Sequence, residues 1–185
     1  MPGLAGCQRR GGPGETDGIP SRMLIQRRLM HVRGYLGLGL LADAERELIL
    51  AEESGAEAAA IEEIRLLLLH EKNDWAALRD LTRAIIARGG ADAGIWISCA
   101  YATRRADSLT AAETLLREAE RLFPAEPTIQ FNLGCYACQL GDLAEARRRV
   151  DRAIELEPRF RETAATDPDL APLRAADGTD CPNGA

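Results

Sequence analysis

Two cysteines three residues apart, Cys135 and Cys138, form the arrangement in this chain most suggestive of chemistry. A redox pair of this spacing needs its nucleophile near a helix N-terminus, where the backbone dipole lowers the thiol pKa. The surrounding pattern puts both thiols late in a helix, where the dipole acts the other way. A zinc site needs four ligands, and the sequence holds neither a second such pair nor paired histidines. Packing is therefore the better reading of both, and no metal or cofactor is expected. Of the two histidines, His31 falls in an interior column and is expected in the core. His70 ends a helix near Trp75 and is expected to face a groove or solvent. Gly34-x-x-Gly37-x-Gly39 lacks the preceding strand that a nucleotide loop requires. These glycines are expected instead to let helices approach closely. Arg147-Arg148-Arg149, near Asp151 and Glu155, reads as a solvated helix face. No Ser-His-Asp order or paired-carboxylate motif appears, so an enzyme is not expected.

The elements that carry these residues follow from a repeat. Adding 34 to Ala100, Leu109, Ala112, Leu116, Ala119 and Pro124 lands on Gly134, Leu143, Ala146, Val150, Ala153 and Pro158. Only Trp96 fails, its counterpart being Gln130. Two earlier copies start near Ile25 and Ala59. In the first, Val32, Tyr35, Ala44, Leu48 and Ala51 fit. In the second, Trp75, Leu78, Ile85 and Gly90 fit, while Glu62 and Arg65 point to a one-residue slip of register in its first helix. Ile61, Ile64 and Leu68 still keep a helical stripe there. Gly39, Asn73, Asp107 and Gly141 mark the turns, and Gly and Asn suit the left-handed conformation that ends a helix. Asp74, Ser108 and Asp142 follow as N-caps.

Bulk composition agrees. Hydrophobic residues make up 46% of the 185 but aromatics only 4%, so the core must be Leu, Ala, Ile and Val in closely packed helices. A net charge of −6 gives no general attraction to nucleic acid or anionic membrane. No apolar run approaches the roughly 18 residues that span a bilayer. Five cysteines, an odd number, argue against a disulfide framework and for a cytoplasmic protein with reduced thiols. Leu4-Ala5-Gly6-Cys7 has the look of a lipidation box, but only Met1, Pro2 and Gly3 precede it, without a basic or apolar leader. Met23 offers a second start.

The 34-residue period, its small mid-helix residue and its closing proline resemble the tetratricopeptide repeat, and the run Asp167–Leu173 resembles the end of small bacterial proteins built of such repeats. The resemblance implies an all-α fold: a right-handed superhelix of four helix pairs with a C-terminal capping helix. The repeats are expected at 25–58, 59–92, 93–126 and 127–160, and the cap at 159–174. Together they form one domain over 21–174, between disordered tails at 1–20 and 175–185. Phe160 is expected to pack back onto the last repeat, with Leu170 and Leu173 anchored against the cap.

The resemblance further implies a concave groove, lined by the first helix of each pair, that holds a peptide or helix of another protein. Carried over by position, its candidates are Met30, Arg33, Glu63, Leu67, His70, Ile97, Tyr101, Arg104, Arg105, Phe131, Asn132, Cys135, Cys138 and Gln139. Tyr101, Arg104 and Asn132 stand out as a rigid amphipathic surface, a bidentate donor and an amide able to pair with a peptide backbone. The family's carboxylate clamp wants Lys and Asn where this chain has Leu29, Arg33 and Ile64, and only Asn132 matches. The reading is a protein-interaction scaffold. Its alternatives are a module that self-assembles through its end faces, a secretion-type chaperone, and a thiol enzyme using Cys135 and Cys138. The oligomeric state is left open.

Overall fold

A computed structural model describes residues 21–178. The expected N-terminal tail, the box at Cys7, Cys181 and the end of the C-terminal tail lie outside the described residues. Ten α-helices and one 3₁₀ turn account for the described chain, with no strand among the described residues. By contacts it divides into two compact units, one ending at Leu68 and the other beginning at Leu69.

The first unit holds α1 (Ser21–Gly37), α2 (Leu41–Glu53) and most of α3 (Ala58–Glu71). Its core is Val32, Ala44, Leu48, Ala51, Ile61, Ile64 and Leu68, flanked by Leu29, Tyr35, Leu36 and Leu41. Ala44 and Ala51 sit on one stripe of α2, where a side chain of a single methyl lets helices come close. The stripe Ile61, Ile64, Leu68 is buried as the spacing predicts, in an α3 that is regular throughout. Two expectations fail in α1. His31 is exposed, because the helix turns Val32 to the core and leaves its neighbour outside. A Cβ added to Gly34 or Gly37 would meet nothing within 4 Å, so these glycines hold no close helix contact. Gly39 does need to be glycine, at φ +71° in the turn to α2.

The second unit continues from the end of α3 with α4 (Trp75–Ala87), α5 (Ala93–Ala106), α6 (Leu109–Leu122), α7 (Pro127–Gln139) and α8 (Leu143–Leu156). Then follow α9 (Phe160–Thr166), a 3₁₀ turn (Pro168–Leu170) and α10 (Ala171–Ala176). The small-residue columns lie in the core: Ala100, Ala112, Ala119, Ala146 and Ala153 are all fully buried. Gly134 is the tightest of them. A Cβ there would stand 2.9 Å from Val150 Cγ2 and 3.2 Å from the Ala146 carbonyl, so α7 and α8 touch through a missing side chain. The caps form as the spacing predicts. Asp74, Ser108 and Asp142 accept hydrogen bonds from the backbone N–H groups of Ala77, Ala111 and Glu145 at 3.2, 3.2 and 3.0 Å. Asn73 (φ +55°) and Gly141 (φ +88°) are left-handed, whereas Asp107 closes α5 at φ −118°.

The break in the repeat at Gln130 has a physical reason. Its amide is buried and donates to Glu120 Oε1 at 2.9 Å, while its oxygen accepts from Arg149 Nη1 at 2.8 Å. Arg149 also binds Glu120, and its Nε donates to Glu145 at 2.7 Å. The expected solvated face therefore holds only for Arg147 and Arg148. Arg149 turns inward because three acceptors satisfy its guanidinium, which a buried charge requires. Hydrogen bonds from Arg148 and then Arg149 hold the Glu145 carboxyl at about 2. Burial pushes Glu120 up, but its bonds from Arg149 and Gln130 outweigh this and leave it below the usual range.

Candidate functional site

One face of the second unit is built from the end of α3 and from α4, α5 and α7. Three rings meet there. His70 lies edge-on to Trp75 with centroids 5.4 Å apart, Trp75 edge-on to Tyr101 at 5.3 Å, and His70 tilted against Tyr101 at 6.0 Å. Arg105 lays its guanidinium over Trp75 at 5.4 Å and over Tyr101 at 5.6 Å. Beside these rings lies a hollow of about 200 Å³ lined by His70, Leu78, Ile97, Ser98, Tyr101 and Asn132. The lining is apolar at Leu78, Ile97 and the Tyr101 face. It carries hydrogen-bonding groups at Ser98 and Asn132.

Local rules put these side chains together. Ile97, Tyr101 and Arg105 stand four apart on α5 and so share one face. Ala100, about 100° round the helix from Tyr101, packs into the core and so sets the orientation of that face. Trp75 opens α4, held there by the Asp74 cap and the left-handed Asn73. By sequence, Trp75 belongs only to the apolar column after the turn. Its signal was an aromatic where the other repeats carry Leu41, Leu109 and Leu143.

The other candidates fare differently. In the first unit, Arg33 Nη2 donates to Glu63 Oε1 at 3.1 Å, both exposed, and Met30 and Leu67 are exposed as well. In the second unit, Arg104 and Gln139 are engaged by the chain itself. Arg104 donates to both carboxylate oxygens of Asp169, at 2.5 and 3.0 Å, and lies over the Tyr136 ring at 5.3 Å. Gln139 donates to the Asp169 carbonyl at 2.7 Å. The 3₁₀ turn and α10 thereby fold onto α7, and Leu170 and Leu173 seal the contact. Phe131 stacks on Phe160 at 4.7 Å, as the cap reading requires. Phe131, Cys135 and Cys138 are consequently buried and offer a partner no surface. Nothing local to α7 signalled this, because the cover comes from a segment some thirty residues on.

The two thiols are not set up for chemistry. Burial, followed by the carboxylates of Asp167 and Asp169, pushes the Cys135 thiol far up, and burial raises Cys138 too. Both stay protonated at neutral pH and are poor nucleophiles. Cys135, Asp167 and Asp169 place one ligand atom each within 4.8 Å of one another. Asp169 is already spent on Arg104, so a cation there would have to displace a guanidinium. Among the described residues, no helix is long and apolar enough to cross a membrane.

No protein-family model matches the chain, and no curated protein matches it by sequence. Solved structures do. One is the crystal structure of YrrB, described as a TPR protein with an unusual peptide-binding site. It is 14% identical, covers 88% of this chain and 86% of its own, and has a TM-score of 0.59. The thermophilic TPR protein TTC0263 of Thermus thermophilus is 18% identical over 84% of each chain, with a TM-score of 0.61. Pseudomonas aeruginosa pilF is 18% identical over 85% of this chain and 71% of its own, with a TM-score of 0.63. With the capped helix pairs and small-residue columns already described, this likeness shows that the chain has the tetratricopeptide-repeat fold.

Proposed function

We propose that this protein is an interaction scaffold, and that the face formed by His70, Ile97, Ser98, Tyr101 and Asn132 holds a segment of a partner protein. The observation that carries the reading is the hollow beside the His70–Trp75–Tyr101 ring cluster. Large rings held by one another are stiff, so docking onto them orders few side chains and costs little entropy. Asn132 and Ser98 supply the donors and acceptors that a partner's backbone needs. The peptide-binding site named for YrrB, which shares the fold, supports the same use of this one. The mechanism is contact and shape. The raised thiol pKa values of Cys135 and Cys138 speak against bond chemistry at the cysteines.

The test is comparative affinity capture with the wild type, Tyr101→Ala, Asn132→Ala and a control, Glu118→Lys on α6. The same proteins should be lost with both the Tyr101 and Asn132 variants and kept with the control. Retention of every protein by both the Tyr101 and Asn132 variants refutes the assignment.

A second reading has its own observation. On the first unit Met23, Met30 and Leu38 are 62, 63 and 73% exposed, an amount of free apolar surface that suits self-association. Light scattering across protein concentration separates the two. A mass that rises with concentration and falls back in Met30→Glu supports self-assembly, and a constant monomer mass removes it.

A further inference from the structure

The chemistry of the partner segment can be read from how the chain satisfies the arginine next door. Arg104 and Arg105 are adjacent on α5, and each guanidinium lies over a tyrosine ring, Tyr136 for Arg104 and Tyr101 for Arg105. The Arg104 position is filled. Asp169 gives it a bidentate carboxylate, and the next residue, Leu170, is buried beside it. The Arg105 position has the ring, with Trp75 as a second one, and a hollow beside it, but no carboxylate among the described residues. The nearest acid along the chain, Asp107, is held by Arg79 and Arg83. Among the described residues no acidic side chain lines the hollow, so nothing there repels an incoming carboxylate.

We propose that the segment bound at this face carries an acidic side chain next to a large aliphatic one. The carboxylate pairs with Arg105, and the aliphatic side chain enters the hollow over Leu78 and Ile97. A guanidinium stacked on two rings keeps its N–H groups in a fixed plane, which favours a carboxylate over a neutral amide. The hollow, about 200 Å³, has room for one such side chain. This proposal rests on this face being a docking site, and the experiment separates its failure from failure of that reading.

The probes are three short Gly/Ser peptides containing Asp-Leu, Asn-Leu or Asp-Ser at their centre, titrated into the isotope-labelled full chain and followed by NMR. The Asp-Leu peptide should shift the Asn132 side-chain amide and Arg105 Nε resonances. It should bind about tenfold more tightly than Asn-Leu, as one charge-assisted hydrogen-bonded pair provides. Raised salt should narrow that gap. Arg105→Gln should abolish the discrimination between Asp-Leu and Asn-Leu while keeping that between Asp-Leu and Asp-Ser. Arg105→Lys should restore part of it. Equal binding of Asp-Leu and Asn-Leu, or unchanged discrimination in Arg105→Gln, overturns the acidic preference but leaves the docking face standing. No shift at this face with any of the three peptides overturns both.

Discussion

Replacing glycine by alanine at two helical positions should change stability in opposite directions. At Gly134 the added methyl must fit 2.9 Å from Val150 Cγ2, 3.2 Å from the Ala146 carbonyl and 3.3 Å from Arg149 Cβ. None of these is the free end of a flexible chain, so α7 and α8 must separate. Overpacking costs about 1–3 kcal/mol, and a contact as short as 2.9 Å puts this one at about 2–3 kcal/mol, while the better helix propensity of alanine returns about 1 kcal/mol. The net loss for Gly134→Ala is about 1–2 kcal/mol, and Gly134→Leu should lose more than about 3 kcal/mol. At Gly34 the same methyl meets nothing within 4 Å and the backbone is not left-handed. Only the propensity gain of about 0.5–1 kcal/mol remains there. Urea unfolding reads both, because a slope of about 2 kcal/mol per molar converts these changes to midpoint shifts of about 0.5–1 M for Gly134→Ala and about 0.25–0.5 M for Gly34→Ala. Trp75 and Trp96 both lie beyond Leu69, so their fluorescence reports the second unit, and far-UV circular dichroism is needed for Gly34→Ala. A Gly134→Ala protein as stable as the wild type would refute the close approach of α7 to α8.

Three further predictions concern the charges and thiols of the second unit. Arg149→Ala should cost about 2–4 kcal/mol, since it strands the partly buried Glu120 and the Gln130 amide, whereas Arg149→Met should cost less; urea midpoints by tryptophan fluorescence check it. Glu145 is depressed from an ordinary 4.5 to about 2. Its contribution is therefore complete above about pH 5, is lost as pH falls towards 2, and should shrink in Arg149→Met, as thermal melts across that range will show. In a background with Cys7 and Cys181 replaced by serine, Cys135 and Cys138 should react slowly with a thiol reagent. Asp169→Asn, which breaks the Arg104 pair holding the C-terminal cover, should speed their reaction.

Much of the fold could be read from the chain because its signals are local and repeat. Ala100 and Gly134, or Asp74, Ser108 and Asp142, recur at one spacing since each pair of helices needs the same close contact and the same cap. Features set by distant contacts could not be read that way. Arg149 looks like one of three solvated arginines until Glu120 and Gln130, on other elements, are seen to meet it. Cys135 and Phe131 stand at groove positions by the repeat, but the C-terminal segment folds back and covers them. That Tyr101 and Asn132 stand beside one hollow could be read from the repeat, which sets both on first helices away from the C-terminal cover. Trp75 escaped because its role depends on rings from α3 and α5, not on its own column.

Photo-crosslinking from two positions tests most directly whether the face carrying the hollow is where a partner docks. A benzophenone side chain at Ser98, on the wall of the hollow, is compared with one at Glu118, exposed on α6. A partner crosslink is expected from position 98 that disappears when Tyr101→Ala is added, and none from position 118. A crosslink from position 118 with none from 98 would contradict it.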